Sequence, residues 1–102
     1  METHIETIND ASIIIINENQ LFGMENEAFQ TLVQNSIKQG SKNIFVDLSN
    51  VKFISSCGIE GFLHAYKICT NNNVKFNLKN VNPMIMRELS VLKLNEIFHI
   101  IN

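Results

Sequence analysis

The chain has no tryptophan, one proline, four glycines and two cysteines in 102 residues. So little proline and glycine leaves no linker material, and the length is near the commonest domain size, so residues 1–102 are expected to form one domain. No apolar run is longer than the four isoleucines 13–16. That is far short of the roughly 20 residues that cross a bilayer, which predicts no membrane insertion. The opening METHIETIND has neither the basic start nor the apolar stretch of a secretory signal, and the expected compartment is the cytoplasm. Eight Lys and Arg against ten Asp and Glu give a net charge of −2, which removes the electrostatic footprint of a nucleic-acid binder.

Chemical signatures are equally sparse. Cys57 and Cys69 lack CxxC or Cys/His metal spacing, so no metal site is expected. In a reducing compartment both thiols stay free, and both are expected as small packing residues. There is no G-x-x-x-x-G-K-[ST] or G-x-G-x-x-G, hence no independent nucleotide site and no expected cofactor. The three histidines, His4, His64 and His99, are scattered, with His64 on the outer side of a helix. A nucleophile elbow is missing too, because ISSCG has no glycine two positions before a serine. An enzyme is therefore not expected.

What is present is a clear alternation of patterns. SIIIIN (12–17) reads as a strand, and HIETIND (4–10) pairs with it across an Asn-Asp-Ala turn. From Gly23 the period changes to that of a helix, with Ala28, Phe29, Leu32, Val33, Ser36 and Ile37 in one stripe. Glu25 and Glu27 open this helix, Lys38 closes it in keeping with the helix dipole, and Gly40 stops it. NIFVDLS (43–49) reads as a central strand buried on both faces, with Asp47 either at its functional edge or capping the turn DLSN. A second helix starts near Ser56 with Ile59, Phe62, Leu63 and Tyr66 inward. VKFNL (74–78) alternates as a strand. Asn82 and Pro83 open a third helix over 82–94, striped by Ile85 or Met86, Leu89 and Leu92 or Lys93. Met84 and Met86 are expected in or near the core, and EIFHII (96–101) is the last strand. Strands alternating with helices predict an α/β domain with a mixed, mostly parallel sheet, an N-terminal hairpin strand and three to four helices.

The place where chemistry can collect is VKFISSCG, at the turn from a strand into a helix. A serine there caps the helix by accepting a first-turn amide hydrogen bond, and the helix start also favours an anion. Three readings of Ser55 and Ser56 follow: a plain cap, a phosphorylated hydroxyl, or a nucleophile. A phosphate would add about −1.5 to −2 charge, enough to repel an apolar or acidic partner.

Taken together, IFVDLSNVKFISSCGIEGFLHAYKI, the strand KFNLKN, the helix NPMIMREL and the ending LNEIFHI resemble a STAS domain, the fold of bacterial anti-sigma factor antagonists. The resemblance runs from about Ile44 to Ile100, through D-L-S-x-V-x-F, a Ser/Thr-rich segment ending in glycine, and a proline-started helix carrying R-x-L. It implies that the serine two residues before Gly58, Ser56, is phosphorylated by a serine kinase of the anti-sigma type and reset by a PP2C-type phosphatase. It implies a partner-binding surface around Ser55, Ser56, Cys57, Gly58, Glu60, Gly61 and His64. Three positions depart from the family: Ser55 stands for the acidic residue, Cys57 for a second Ser/Thr, and Phe22 about where an aspartate is usual. The alternative is an unphosphorylated STAS subunit or scaffold of a larger assembly, such as a lipid ABC transporter or a stress-sensing complex. Small size and the absence of heptads predict a monomer when free.

Overall fold

The computed structural model describes residues 2–21 and 26–101, the side chain of Asn26 excepted. The expected places of Phe22, Gly23 and Glu25 lie outside the described residues. Among those described, the strands are β1 (Thr3–Ile8), β2 (Ala11–Ile16), β3 (Gln20–Leu21), β4 (Asn43–Asp47), β5 (Phe53–Ile54), β6 (Lys75–Lys79) and β7 (His99–Ile101). The helices are α1 (Asn26–Lys38), α2 (Ser56–Asn71) and α3 (Pro83–Val91), with a 3-10 turn at Leu94–Glu96.

The main sheet runs β1-β2-β4-β6-β7, with β1 antiparallel to β2 and the remaining pairs parallel. The β1–β2 hairpin turns at Asn9, whose φ of 55° is a left-handed conformation that asparagine tolerates. α1 ends as its glycine predicts. Gly40 has φ +99°, its N–H donates to Ile37 O (3.0 Å), and Ser41 N donates to Ser36 O (3.1 Å). Those two bonds make a Schellman stop that satisfies carbonyls the helix would leave orphaned.

β4 is central, but it is not buried on both faces. Ile44 and Val46 are fully buried while Phe45 between them is only half-buried, and β2 alternates in the same way. The reason is topological. Strands β2, β4, β6 and β7 are added in one direction across the sheet, so crossovers of one hand lay their helices on the same face. That face carries the core, in which Ile14, Ile44, Val46 and Leu78 meet Phe29, Val33, Phe62 and Ala65. Edge-to-face ring pairs knit it together, Phe29 with Phe62 and Phe98 with both Phe76 and Tyr66.

Several stripe residues move. Ala28 is exposed and Gln30 is buried in its stead, donating Nε2 to Gly61 O at 2.8 Å and tying α1 to α2. α3 stops at Val91, so Leu92 is exposed instead of completing the stripe begun by Ile85 and Leu89. Met86 packs against the core, whereas Met84 is exposed. Cys69 is a packing residue as expected, and burial pushes its thiol up to about 11. Cys57 is exposed and is no part of the core.

Asp47 serves the turn. Its Oδ1 accepts from Ser49 N (2.9 Å) and from Asn80 Nδ2 (3.1 Å). Partial burial alone would raise its pKa, but the bonds from Ser49 and Asn80 together with nearby Lys79 outweigh this and hold it below the ordinary value. A carboxyl with a depressed folded pKa contributes stability above its unfolded pKa of about 3.9 and loses that stability as pH falls through the folded value. Thermal melts from about pH 6 to about pH 2 should therefore show an acid limb that Asp47→Asn makes shallower below about pH 4. An identical limb in both proteins would remove Asp47 from this role.

Candidate functional site

The site is assembled where a short second sheet meets α2. Gln20 and Leu21 of β3 pair in parallel with Phe53 and Ile54 of β5. Ser55 N then donates to Leu21 O at 2.9 Å, anchoring the residue that begins the next helix.

The two serines divide the work. Ser55 is the N-cap of α2: it is extended (φ −91°, ψ 171°), its Oγ accepts from Gly58 N at 3.2 Å, and its carbonyl accepts the first helical bond from Ile59 N. Ser56 is the first residue of the helix and is exposed. Its hydroxyl stands at the positive pole of a 16-residue helix that has no acidic residue in its first turn. Ser55→Ala should therefore cost about 0.5–2 kcal/mol of stability. Ser56→Ala should stay within about 0.5 kcal/mol. Urea unfolding of the two variants reads the difference directly, and equal losses would contradict this division.

The remaining expected site residues fall into two groups. Cys57, Glu60 and His64 are exposed along with Ser56, on the outer side of α2. Gly58 and Gly61 are buried. A Cβ on Gly58 would lie 2.7 Å from Leu21 O and 2.8 Å from Ile54 Cγ1, and Gly61 carries the carbonyl that Gln30 holds. These glycines let neighbouring elements approach closely, and so shape the surface from behind rather than presenting a face of their own.

One wall of the site is not evident from the serine segment. A groove of about 460 Å³ lies between the start of α2 and α3, with Ser55 and Ser56 on one side and Arg87, Val91 and Leu92 on the other. It continues past Ser56 into a hollow of about 400 Å³ bounded by Leu63, Leu92 and Leu94. Val91 is 76% and Leu92 56% exposed, high values for large apolar side chains. The sequence signal was the SVLKL segment, where two apolar residues run on past the α3 stripe. Asn82 fixes this wall: Oδ1 accepts from Ile85 N (2.8 Å), and Nδ2 donates to Val51 O (3.1 Å) in the loop before β5. Ser56 is thus an exposed hydroxyl at the lip of a groove that pairs apolar Val91 and Leu92 with the charged Arg87 and Glu88, at a helix pole suited to an anion. Among the described residues no cluster of His, Cys, Asp or Glu could hold a metal ion, and no helix is long and apolar enough to cross a membrane.

The STAS domain profile matches residues 3–102. No sequence relative among the curated proteins matches. Among solved structures, protein TM1081 of Thermotoga maritima is 25% identical with a TM-score of 0.83, covering 94% of this chain and 77% of its own. An anti-sigma-factor antagonist (STAS) domain protein from Planctomyces limnophilus is 20% identical with a TM-score of 0.83, covering 98% and 89%. The phosphorylated form of the Bacillus cell fate determinant SpoIIAA is 16% identical with a TM-score of 0.73, covering 97% and 90%. The fold, the element order and the profile agree, and the chain belongs to the STAS domain family.

Proposed function

We propose that the chain is a small partner-switching regulator whose binding of another protein is controlled by reversible phosphorylation of Ser56. The observation that carries this reading is the division between the serines: Ser55 is committed to the cap, while Ser56 is exposed beside the groove. Unphosphorylated, the outer side of α2 around Cys57, Glu60 and His64, together with Val91 and Leu92, forms the docking surface. An apolar anchor on the partner fills the groove and covers Ser56. Phosphate on Ser56 would be favoured by the helix pole, yet it would meet the covering partner as roughly two negative charges that need water. The partner is then released.

The chain is the substrate of this cycle. A serine kinase of the anti-sigma type adds the phosphate and a PP2C-type phosphatase removes it. A phosphorylated form of a STAS protein, SpoIIAA, supports the chemistry. The place of the family's acidic residue is taken here by Ser55, so the kinase meets a neutral cap rather than a carboxylate next to its target.

The test compares the proteins that co-purify from the native cell with wild type, Ser56→Ala and Ser56→Asp. The switch predicts a partner kept by the alanine form and lost by the aspartate form. The same partners on all three forms would mean a constitutive subunit or scaffold.

A further inference from the structure

Among the described residues, no strand pairs with the outer edge of β1. Asn17 N donates to Glu2 O at 2.9 Å, continuing the register in which Thr3 faces Ile16. Hydrogen-bonded and non-bonded pairs alternate along antiparallel strands. Glu2, His4, Glu6 and Ile8 therefore turn their backbone groups toward β2, and Thr3, Ile5 and Thr7 turn theirs outward. Several usual protections of an edge are missing, with Glu6 the one charged residue of the strand apart from a histidine. β1 has no proline, no lysine and no bulge, its register with β2 is unbroken over six residues, and Ile5 and Ile8 are exposed. The opposite edge is protected by brevity, since β7 has three residues.

We propose that β1 pairs antiparallel with β1 of a second copy, about a two-fold axis through Ile5, so that two five-stranded sheets join into one. In this register Ile5 faces Ile5, Thr3 faces Thr7, and each His4 faces a Glu6. The outward backbone groups of Thr3, Ile5 and Thr7 then meet their own kind in hydrogen-bonded pairs. His4 and Glu6 share a face of the strand, with Nε2 and Oε1 3.6 Å apart within one chain. Across the axis they form non-hydrogen-bonded pairs, whose side chains come closer than those of bonded ones.

Charge excludes the neighbouring registers. An axis through His4 would set Glu2 against Glu6. An axis through Glu6 would set Glu6 against Glu6. Like charges directly opposite destabilise a pair, so both neighbouring registers are disfavoured relative to the one centred on Ile5. This pairing departs from the free monomer expected from small size and the absence of heptads, because it uses backbone groups that neither signal registers. It is also independent of the switch. α2 packs on β6, three strands from β1 in the sheet order, so the groove beside Ser56 stays open.

The contact is a narrow strip, so the dimer should be weak and concentration-dependent. Sedimentation of the whole chain from about 1 µM to about 1 mM should show monomer passing into dimer. Glu6→Lys should weaken the dimer at least tenfold, and His4→Glu/Glu6→Lys, which sets a glutamate against a lysine at the same two positions, should restore it. For register, chains carrying Cys57→Ser with either His4→Cys or Glu6→Cys are mixed and oxidised. A disulfide-linked dimer should form in the mixture and not with His4→Cys alone. Wild type monomeric throughout, a Glu6→Lys dimer of unchanged strength, or equal cross-linking of the two preparations would overturn the proposal.

Discussion

Gly58→Ala should cost the fold about 1–3 kcal/mol, although alanine is the better helix former by about 1 kcal/mol. The added Cβ would lie 2.7 Å from Leu21 O and 2.8 Å from Ile54 Cγ1. Leu21 O is the atom that accepts Ser55 N at 2.9 Å. To admit the methyl group, β3 must move away from the start of α2, and the bond that anchors the cap stretches. The clash and the weakened hydrogen bond, worth about 1 kcal/mol itself, together exceed the gain in helix propensity. At about 4–8 °C of melting temperature per kcal/mol for a domain of this size, the loss is easily read by circular dichroism. Gly58→Ala should also weaken partner binding, because the displaced turn carries Ser56. A variant that melts at or above wild type would show that β3 and β5 do not hold the site in place.

Phosphorylation of Ser56 has the other large expected effect, a loss of partner affinity of at least a hundredfold. Covering the unmodified hydroxyl demands little, since a neutral O–H needs one hydrogen bond to stay satisfied. Covering a phosphate strips water from nearly two charges beside a wall in which Val91 and Leu92 are joined by Arg87 and Glu88. A mismatch of charge in an interface costs several kcal/mol, and about 2.7 kcal/mol is already a hundredfold. Ser56→Asp carries less charge, so its effect should be smaller and in the same direction. Titration of a purified partner against the modified and unmodified chains measures both, and an affinity that rises on phosphorylation would reverse the mechanism.

Local signals placed the serine pair at a strand-to-helix turn and placed the elements around it. Asn82 and Pro83 open α3, Gly40 closes α1, and the alternation of ASIIII marks β2, each because its signal lies within a few residues. The features that escaped depend on distant contacts. β3 and β5 have two residues each, too short for a periodic pattern, and exist because they pair with one another. The open face beside Phe45 follows from strand order, which no local pattern encodes. Gln30 is buried and Ala28 exposed because α1 is held to Gly61 across a helix–helix contact.

The site shows the same division. That one of two adjacent serines caps a helix was legible in ISSCG. That Ser55 is the cap, with Ser56 at the groove, required the anchor from Leu21 and the wall built by α3. The expected run of α3 to Leu94 places Leu92 in the inward stripe and gives Val91 no role, whereas the helix ends at Val91.

The claim at the centre of this account is that Ser55 is occupied by structure and Ser56 is addressed by chemistry. Its most direct test is the position of phosphate on the chain isolated from its own cells with phosphatase inhibitors present, mapped by fragmentation mass spectrometry. The account predicts phosphate on Ser56 and none on Ser55. Phosphate on Ser55, or an unmodified Ser56 under every condition in which the partner is released, would contradict it.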